Sequence, residues 1–257
     1  MADVATLVFV HAHPDDEALL TAGTMARASA EGHRVVLVSA TDGAAGLTST
    51  EFADDLAATR AAELEHSAGL LGTARLVNWA YADSGIDGQR EGGFASGDLD
   101  AQVQRLVDLL DEEDADVVVG YDPSGGYGHP DHVRVHQVVR AAAQAIRSRE
   151  GAAGRLRVFE ATLPREPIAR AVHAASSLHL TPRDFDPAEF DRAWTPRDAI
   201  THRVDVRRQL AAKHASMAAH ASQAAADDSV RTLAVLTKLP RPIYGRLVGT
   251  EYFVEVP

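Results

Sequence analysis

The chain has 257 residues, no cysteine and a formal net charge of −12 with its 12 histidines counted neutral. That length suits one large domain, and so acidic a surface repels phosphate backbones and excludes nucleic acid as a partner. Without cysteine there is no disulfide framework, which fits a reducing cytoplasm, and no stretch approaches the roughly 20 apolar residues of a membrane span.

The expectation is therefore a cytoplasmic protein with no membrane partner. Val4–Val10 lacks a basic flank and a small-residue cleavage site, so it reads as a strand and not a signal peptide. The basic stretches Arg203–Arg208 and Arg241–Arg246 are interrupted or flanked by acidic and apolar residues and read as solvated faces.

In chain order, Thr6–His11 is a short apolar strand and Glu17–Ala30 a helix closed near Glu31-Gly32. Arg34–Ala40 is a β-branched run of the kind buried on both faces of a parallel sheet. Asp55–Leu71 is helical and closed by Gly72; Arg75–Trp79 is the third strand and Leu99–Glu113 the next helix. Asp116–Tyr121 is the fourth strand, Pro130–Ser148 a helix with Pro at its first position, and Arg155–Ala161 the fifth strand.

Strands alternating with helices predict an α/β fold, a Rossmann-like parallel sheet flanked by helices with right-handed crossovers. Beyond Pro164 the pattern changes. Pro-containing stretches (Leu163–Pro167, Thr181–Pro187) precede an Ala-rich helix around Asp205–Gln223, and Glu251–Val256 resembles an edge strand. Residues 1–162 are thus expected to form the catalytic core, and 163–257 a C-terminal cap completing the same domain. Ala-rich helices and a terminal strand are compatible with a homo-oligomer.

Two polar clusters stand out: His11-Ala12-His13-Pro14-Asp15-Asp16-Glu17 after the first strand, and Tyr127-Gly128-His129-Pro130-Asp131-His132 after the fourth. In a 3-2-1-4-5 strand order those strands are neighbours, and the crevice between their carboxyl ends is where open α/β sheets bind ligands. Carboxylates at helix starts often serve only as caps. Asp-Asp-Glu in one turn exceeds what capping needs, and adjacent like charges repel unless a cation or partner stabilises them. Neutral imidazoles nearby suit zinc. Two histidines and one carboxylate drawn from both clusters would supply the three ligands of a catalytic site, leaving other groups for acid–base work. A dinucleotide site would need G-x-G-x-x-G where this chain has Pro and three acids. The glycines Gly125, Gly126 and Gly128 read as a flexible turn or a lid carrying Tyr127.

At these residues the chain resembles the PIG-L/LmbE-like family of metal-dependent N-deacetylases, whose AHPDDE and GHPDH motifs are both intact. The resemblance covers about Leu7 to Ile146, with a fainter echo in Lys213–Gln223. It implies that His13, Asp16 and His132 hold zinc (ferrous iron being the alternative) and that Asp15 is the general base. It also implies that His129 stabilises the oxyanion and acts as general acid, with Asp131 holding its imidazole, and that Tyr127 reaches the oxyanion. Arg60 and Asp83 match positions that contact sugar hydroxyls. The implied activity is removal of an N-acyl group, most simply acetyl, from a small molecule containing an amino sugar. The alternatives are a deacylase of a thiol conjugate or glycosylated natural product, and a catalytically silent sugar- or metal-binding member.

Two departures bear on substrate. Thr41-Asp42-Gly43-Ala44-Ala45 lacks the glutamate many relatives carry there, and Leu20 replaces a polar residue, which would make the pocket rim apolar and count against a mycothiol-type precursor. His11 and His136 read as hydrogen-bonding or packing residues, and His220 as a candidate pocket residue. His33, His66, His173, His179 and His202 have no constellation around them, and Trp79 and Trp194 read as anchors.

Overall fold

A computed structural model describes residues 4–44, 56–88, 90–149, 156–178, 186–224 and 232–257. Ala45, Asp55, Arg155 and His179, named above, lie outside them, as does most of the Thr181–Pro187 stretch.

The elements run β1 (Thr6–His11), α1 (Asp16–Leu20), α2 (Ala22–Ala30), β2 (Arg34–Thr41), α3 (Leu56–Leu70), β3 (Arg75–Tyr81), α4 (Leu99–Glu112) and β4 (Val117–Tyr121). They continue with the short α5 (Gly125–Gly128), α6 (Pro130–Arg147), β5 (Arg157–Thr162), α7 (Arg165–Ser177) and β6 (His202–Asp205). The chain closes with α8 (Leu210–Ala219), α9 (Ala221–Ala224), α10 (Thr232–Lys238), α11 (Arg241–Val248) and β7 (Thr250–Val256). One seven-stranded sheet has the order β3-β2-β1-β4-β5-β7-β6. β1 to β5 pair in parallel, and β7 pairs antiparallel with both β5 and β6.

The core follows from composition. Seven consecutive residues of β2, Val35 to Thr41, are buried, as a central strand covered on both faces requires. β1 is held between β2 and β4, with Phe9 opposite Leu37 on one side and Val119 on the other. The chain leaves β1 toward β2 and leaves β4 toward β5, in opposite directions. The loops after β1 and β4 therefore face one another at the topological switch point.

The first expected helix is two, α1 and α2, broken at Thr21, whose φ of −134° is not helical. The Thr21 hydroxyl is taken by His11 Nε2 at 2.8 Å. The Ala-rich helix is confined to α8, because Asp205 ends β6 and His220 interrupts the helix before α9. The terminal strand is not an edge: β7 is interior and β6 takes the edge.

Among the described residues beyond 163, Lys213 and Glu251 tie the chain to its N-terminal half. Buried Glu251 accepts the Gly23 and Thr24 amides at the start of α2, at 2.8 and 2.7 Å. The buried ammonium of Lys213 pairs with the same carboxylate and donates to the Leu19 carbonyl at 2.7 Å. A carboxylate at a helix N-terminus answers both the orphan amides and the helix dipole.

Candidate metal centre and active site

The turn after β1 carries an unusual backbone. Asp15 has φ 125° and ψ −21°, a conformation that costs a non-glycine residue on the order of 1–3 kcal/mol. Four contacts hold the turn. The Asp15 amide donates to Glu17 Oε2 at 3.0 Å, and Arg60 Nη2 bonds the Pro14 carbonyl at 2.6 Å and approaches Asp15 Oδ1 at 3.2 Å. The His13 amide donates to Asp16 Oδ2 at 2.8 Å. Asp15 and Asp16 consequently point their carboxylates to different partners.

His13, Asp16 and His132 converge. His13 Nδ1 and His132 Nε2 lie 3.2 Å apart, and each is 3.4 Å from Asp16 Oδ2. A tetrahedral zinc with ligand bonds of about 2.0–2.1 Å separates its donor atoms by about 3.3 Å. The other ring nitrogens are already occupied: His13 Nε2–H donates to Asp131 Oδ2 at 3.2 Å, and His132 Nδ1–H to the Gly125 carbonyl at 3.1 Å. In those tautomers two lone pairs and a carboxylate oxygen face one another within 3.4 Å, an arrangement that a bound cation stabilises. Other overlapping donor groups exist, His13 with His129 and His132, and His13 with Asp83, His129 and Asp131. His129 suits neither, because its Nδ1 accepts the Asp131 amide at 3.2 Å, leaving the proton on Nε2.

These contacts revise the expected role of Asp131. Its carboxylate is wholly buried and accepts from His13 Nε2, from the Ser84 amide at 3.0 Å and from the Ala95 amide at 3.1 Å. It orients His13, while His129 is held through the main chain of Asp131. The cause is local: His129 is the N-cap of α6, so its ring takes a free amide at the helix start.

The electrostatics divide the labour. Burial raises the Asp15 carboxyl, with Arg60 opposing and Asp16 adding to the rise. Burial, with His13 and His132 beside it, pushes His129 down to about 4, which favours the uncharged ring with its proton on Nε2. Burial disfavours ionised Asp83, but His13 and the Gly85 amide outweigh it and hold the carboxyl low. Desolvation of the hydroxyl within the cavity and nearby carboxylates raise Tyr127, so its hydroxyl keeps its proton.

A cavity of about 520 Å³ opens over these groups, lined by His13, Asp15, Asp16, Arg60, Asp83, Tyr127 and His129, with Leu19, Ile86 and Leu233 among its apolar residues. Arg60 lines it but is committed to the Pro14 and Gly43 carbonyls and to Asp15, so it braces Asp15 instead of presenting a free fork to sugar hydroxyls. Asp83 Oδ1 lies 3.6 Å from His13 Nε2. The apolar rim residue is Leu19; Leu20 is buried in the main core, so it does not bear on substrate choice. Tyr127 is 47% exposed, its ring 6.1 Å from that of His129 and 6.3 Å from that of Trp194. Trp194 anchors that turn, its amide donating to the Gly126 carbonyl at 2.7 Å.

Tyr121 escaped the sequence reading. Its hydroxyl donates to Asp16 Oδ2 at 2.7 Å and accepts the Ala12 amide at 3.0 Å, and its ring stacks on His132 at 4.3 Å. Its position as the last residue of β4, at the switch point, was the available signal. His11 hydrogen-bonds Thr21 and Tyr121, and His136 the Tyr121 carbonyl; neither joins the triangle.

A strand-end triangle of two histidines and a carboxylate, with Asp15 and His129 beside it, is an arrangement suited to hydrolysis of an amide bond on a Rossmann-like sheet. The chain belongs to the PIG-L family, whose profile, described as GlcNAc-PI de-N-acetylase, matches residues 8–143. It is 34% identical to the 1D-myo-inositol 2-acetamido-2-deoxy-alpha-D-glucopyranoside deacetylase of Acidothermus cellulolyticus, over 98% of this chain and 88% of that one. The enzyme of the same name from Salinispora arenicola is 37% identical, over 87% and 79% of the two chains. The solved N,N'-diacetylchitobiose deacetylase from Pyrococcus horikoshii shares the fold, with a TM-score of 0.64 at 22% identity, covering 99% of this chain and 85% of that one. The chain is thus a hydrolase of the N-deacetylase class. Among the described residues no helix is long and apolar enough to cross a membrane.

Proposed function

We propose that this chain removes the N-acetyl group from an N-acetylglucosamine-type glycoside, using a zinc ion held by His13, Asp16 and His132. The observation that carries the metal is the triangle of donor atoms 3.2–3.4 Å apart with both imidazole protons turned outward. When bound, zinc would polarise the amide carbonyl and acidify its water.

The chain's own groups do the rest. Asp15, its carboxyl raised by burial, takes a proton from the attacking water. The neutral Nε2–H of His129 and the hydroxyl of Tyr127 donate to the carbonyl oxygen as it gains charge. The proton on Asp15 then passes to the departing nitrogen as the C–N bond breaks, giving acetate and an amine. Asp83, held ionised, offers acceptors for sugar hydroxyls, and the acidic floor suits an amine product.

The relatives named for a glucosaminyl-inositol substrate support a cyclitol as the sugar's partner, and buried Leu20 removes the objection to it. A second reading has one observation in its favour: Leu19, Leu233 and the 71% exposed Ile86 line the cavity, as an apolar aglycone would require. Amine release from the N-acetylglucosaminyl inositol and from an aryl N-acetylglucosaminide, compared as kcat/KM, tests the choice. A ratio above about 10 for the inositol, about 1.4 kcal/mol, is expected. A reversed ratio would establish the apolar aglycone, and no release from either would remove the amino-sugar reading.

A further inference from the structure

The buried Glu17–His220 pair has no part in the reaction as described, yet it is connected to Asp15. Glu17 is fully buried one residue beyond the ligand Asp16. Its Oε2 accepts the Asp15 amide at 3.0 Å, and its Oε1 accepts from Ser67 Oγ and from His220 Nε2, both at 2.6 Å. His220, also fully buried, lies at the break between α8 and α9. That break is itself fixed, because the Ser222 amide and hydroxyl donate to the two oxygens of Glu63 on α3, at 2.8 and 2.6 Å. Ser216 of α8 backs Ser67 at 2.7 Å. A carboxylate buried only to cap a helix would not need two donors from distant elements, both on the oxygen that does not meet the amide.

We propose that His220 is a positioning residue for N-deacetylation: through Glu17 it fixes the amide of Asp15, and so holds the base in its positive-φ backbone, aimed at the attacking water. The inference rests on the reading of Asp15 as the base. It explains why a segment 203 residues further along the chain meets the first motif: Arg60 holds Asp15 through its carboxylate and the Pro14 carbonyl, and Glu17 holds its amide. Removing the His220 donor frees the Glu17 carboxylate to rotate, releases the Asp15 amide and lets the turn relax. Metal binding is spared, because His13, Asp16 and His132 are fixed by Asp131, Tyr121 and Gly125 instead.

The test compares zinc-loaded wild type with H220L, which removes the donor, and H220Q, whose amide restores an N–H near the imidazole Nε2. With an N-acetylglucosaminide, H220L is expected to lose about 10- to 100-fold in kcat, the scale of a displacement near 1 Å. KM should change less than about threefold, zinc stoichiometry should stay at one, and H220Q should recover most of the rate. Hydrogen exchange at the Asp15 amide, read by NMR, should speed up in H220L and not in H220Q. If H220L fails to fold, S67A is the substitute, with a smaller loss and faster Asp15 exchange expected. Unchanged kcat with a lowered melting temperature and a still-protected Asp15 amide would overturn the proposal. Faster exchange at that amide in a protein whose wild type releases no amine would keep the clamp and remove only the deacetylation reading.

Discussion

Asp131 offers the sharpest discrimination between two ways of wiring this site. If its carboxylate serves His13, then Asp131→Ala removes the acceptor of the His13 Nε2 proton, 3.2 Å away. That proton fixes the tautomer and aims Nδ1 into the triangle with Asp16 and His132. Loss of such a carboxylate behind a ligating histidine costs about 10- to 100-fold in metal affinity, or about 1.4–2.7 kcal/mol. The variant should also lose stability, because the vacated pocket leaves the Ser84 amide without its acceptor in the interior, and a buried unpaired donor costs about 1–3 kcal/mol in stability. Zinc affinity is measured by competition with a chromogenic chelator, with the melting temperature followed in parallel. A variant that binds zinc as tightly as wild type yet loses kcat would refute this wiring and return Asp131 to the service of His129.

Other outcomes follow from the same geometry. Asp15→Asn should keep one zinc per chain and lower kcat by about 10²–10⁴, the span of a general base; a loss of zinc instead would make Asp15 a ligand. Gly126→Ala places a Cβ 2.6 Å from the Trp194 ring at φ 71°, so the Tyr127 turn must move; kcat should fall with zinc binding intact, and equal kcat would leave Tyr127 without a role.

Burial raises Glu160 from 4.5 to about 7. Because the folded pKa lies above the unfolded one, the folded state binds more protons between these values, and stability falls as pH rises through that window by about 3 kcal/mol at about 1.36 kcal/mol per pH unit. Glu160→Gln should therefore raise the melting temperature above pH 7 and leave it unchanged below pH 4.5; a gain equal at both pH values would contradict the sign.

The parallel sheet and its order were legible because β-branched runs such as Val35–Val38 alternate with helical periods, and because parallel pairing permits few topologies. The meeting of His13, Asp16 and His132 was legible through two motifs whose strands the topology makes neighbours. What local pattern cannot encode was missed. Thr21 breaks a helix through a tertiary bond to His11, and β7 is interior because β6 covers it. The orientation of Asp131 depends on which of two histidines a buried carboxylate meets, 118 residues apart for His13 and two for His129; sequence proximity suggested the wrong one. Leu19 and Leu20 exchange roles on a one-residue rotation of α1, a difference that a hydrophobic pair does not announce.

Central to all of this is that the triangle of His13, Asp16 and His132 holds a metal that the reaction requires. The direct measurement strips the chain of metal, returns one equivalent of Zn²⁺, and follows amine release from an N-acetylglucosaminide in wild type and His132→Ala. Release restored by zinc in the wild type and absent in the variant, which should no longer retain the ion, is the expected result. Full activity in the stripped protein, or zinc held equally well without His132, would contradict the account.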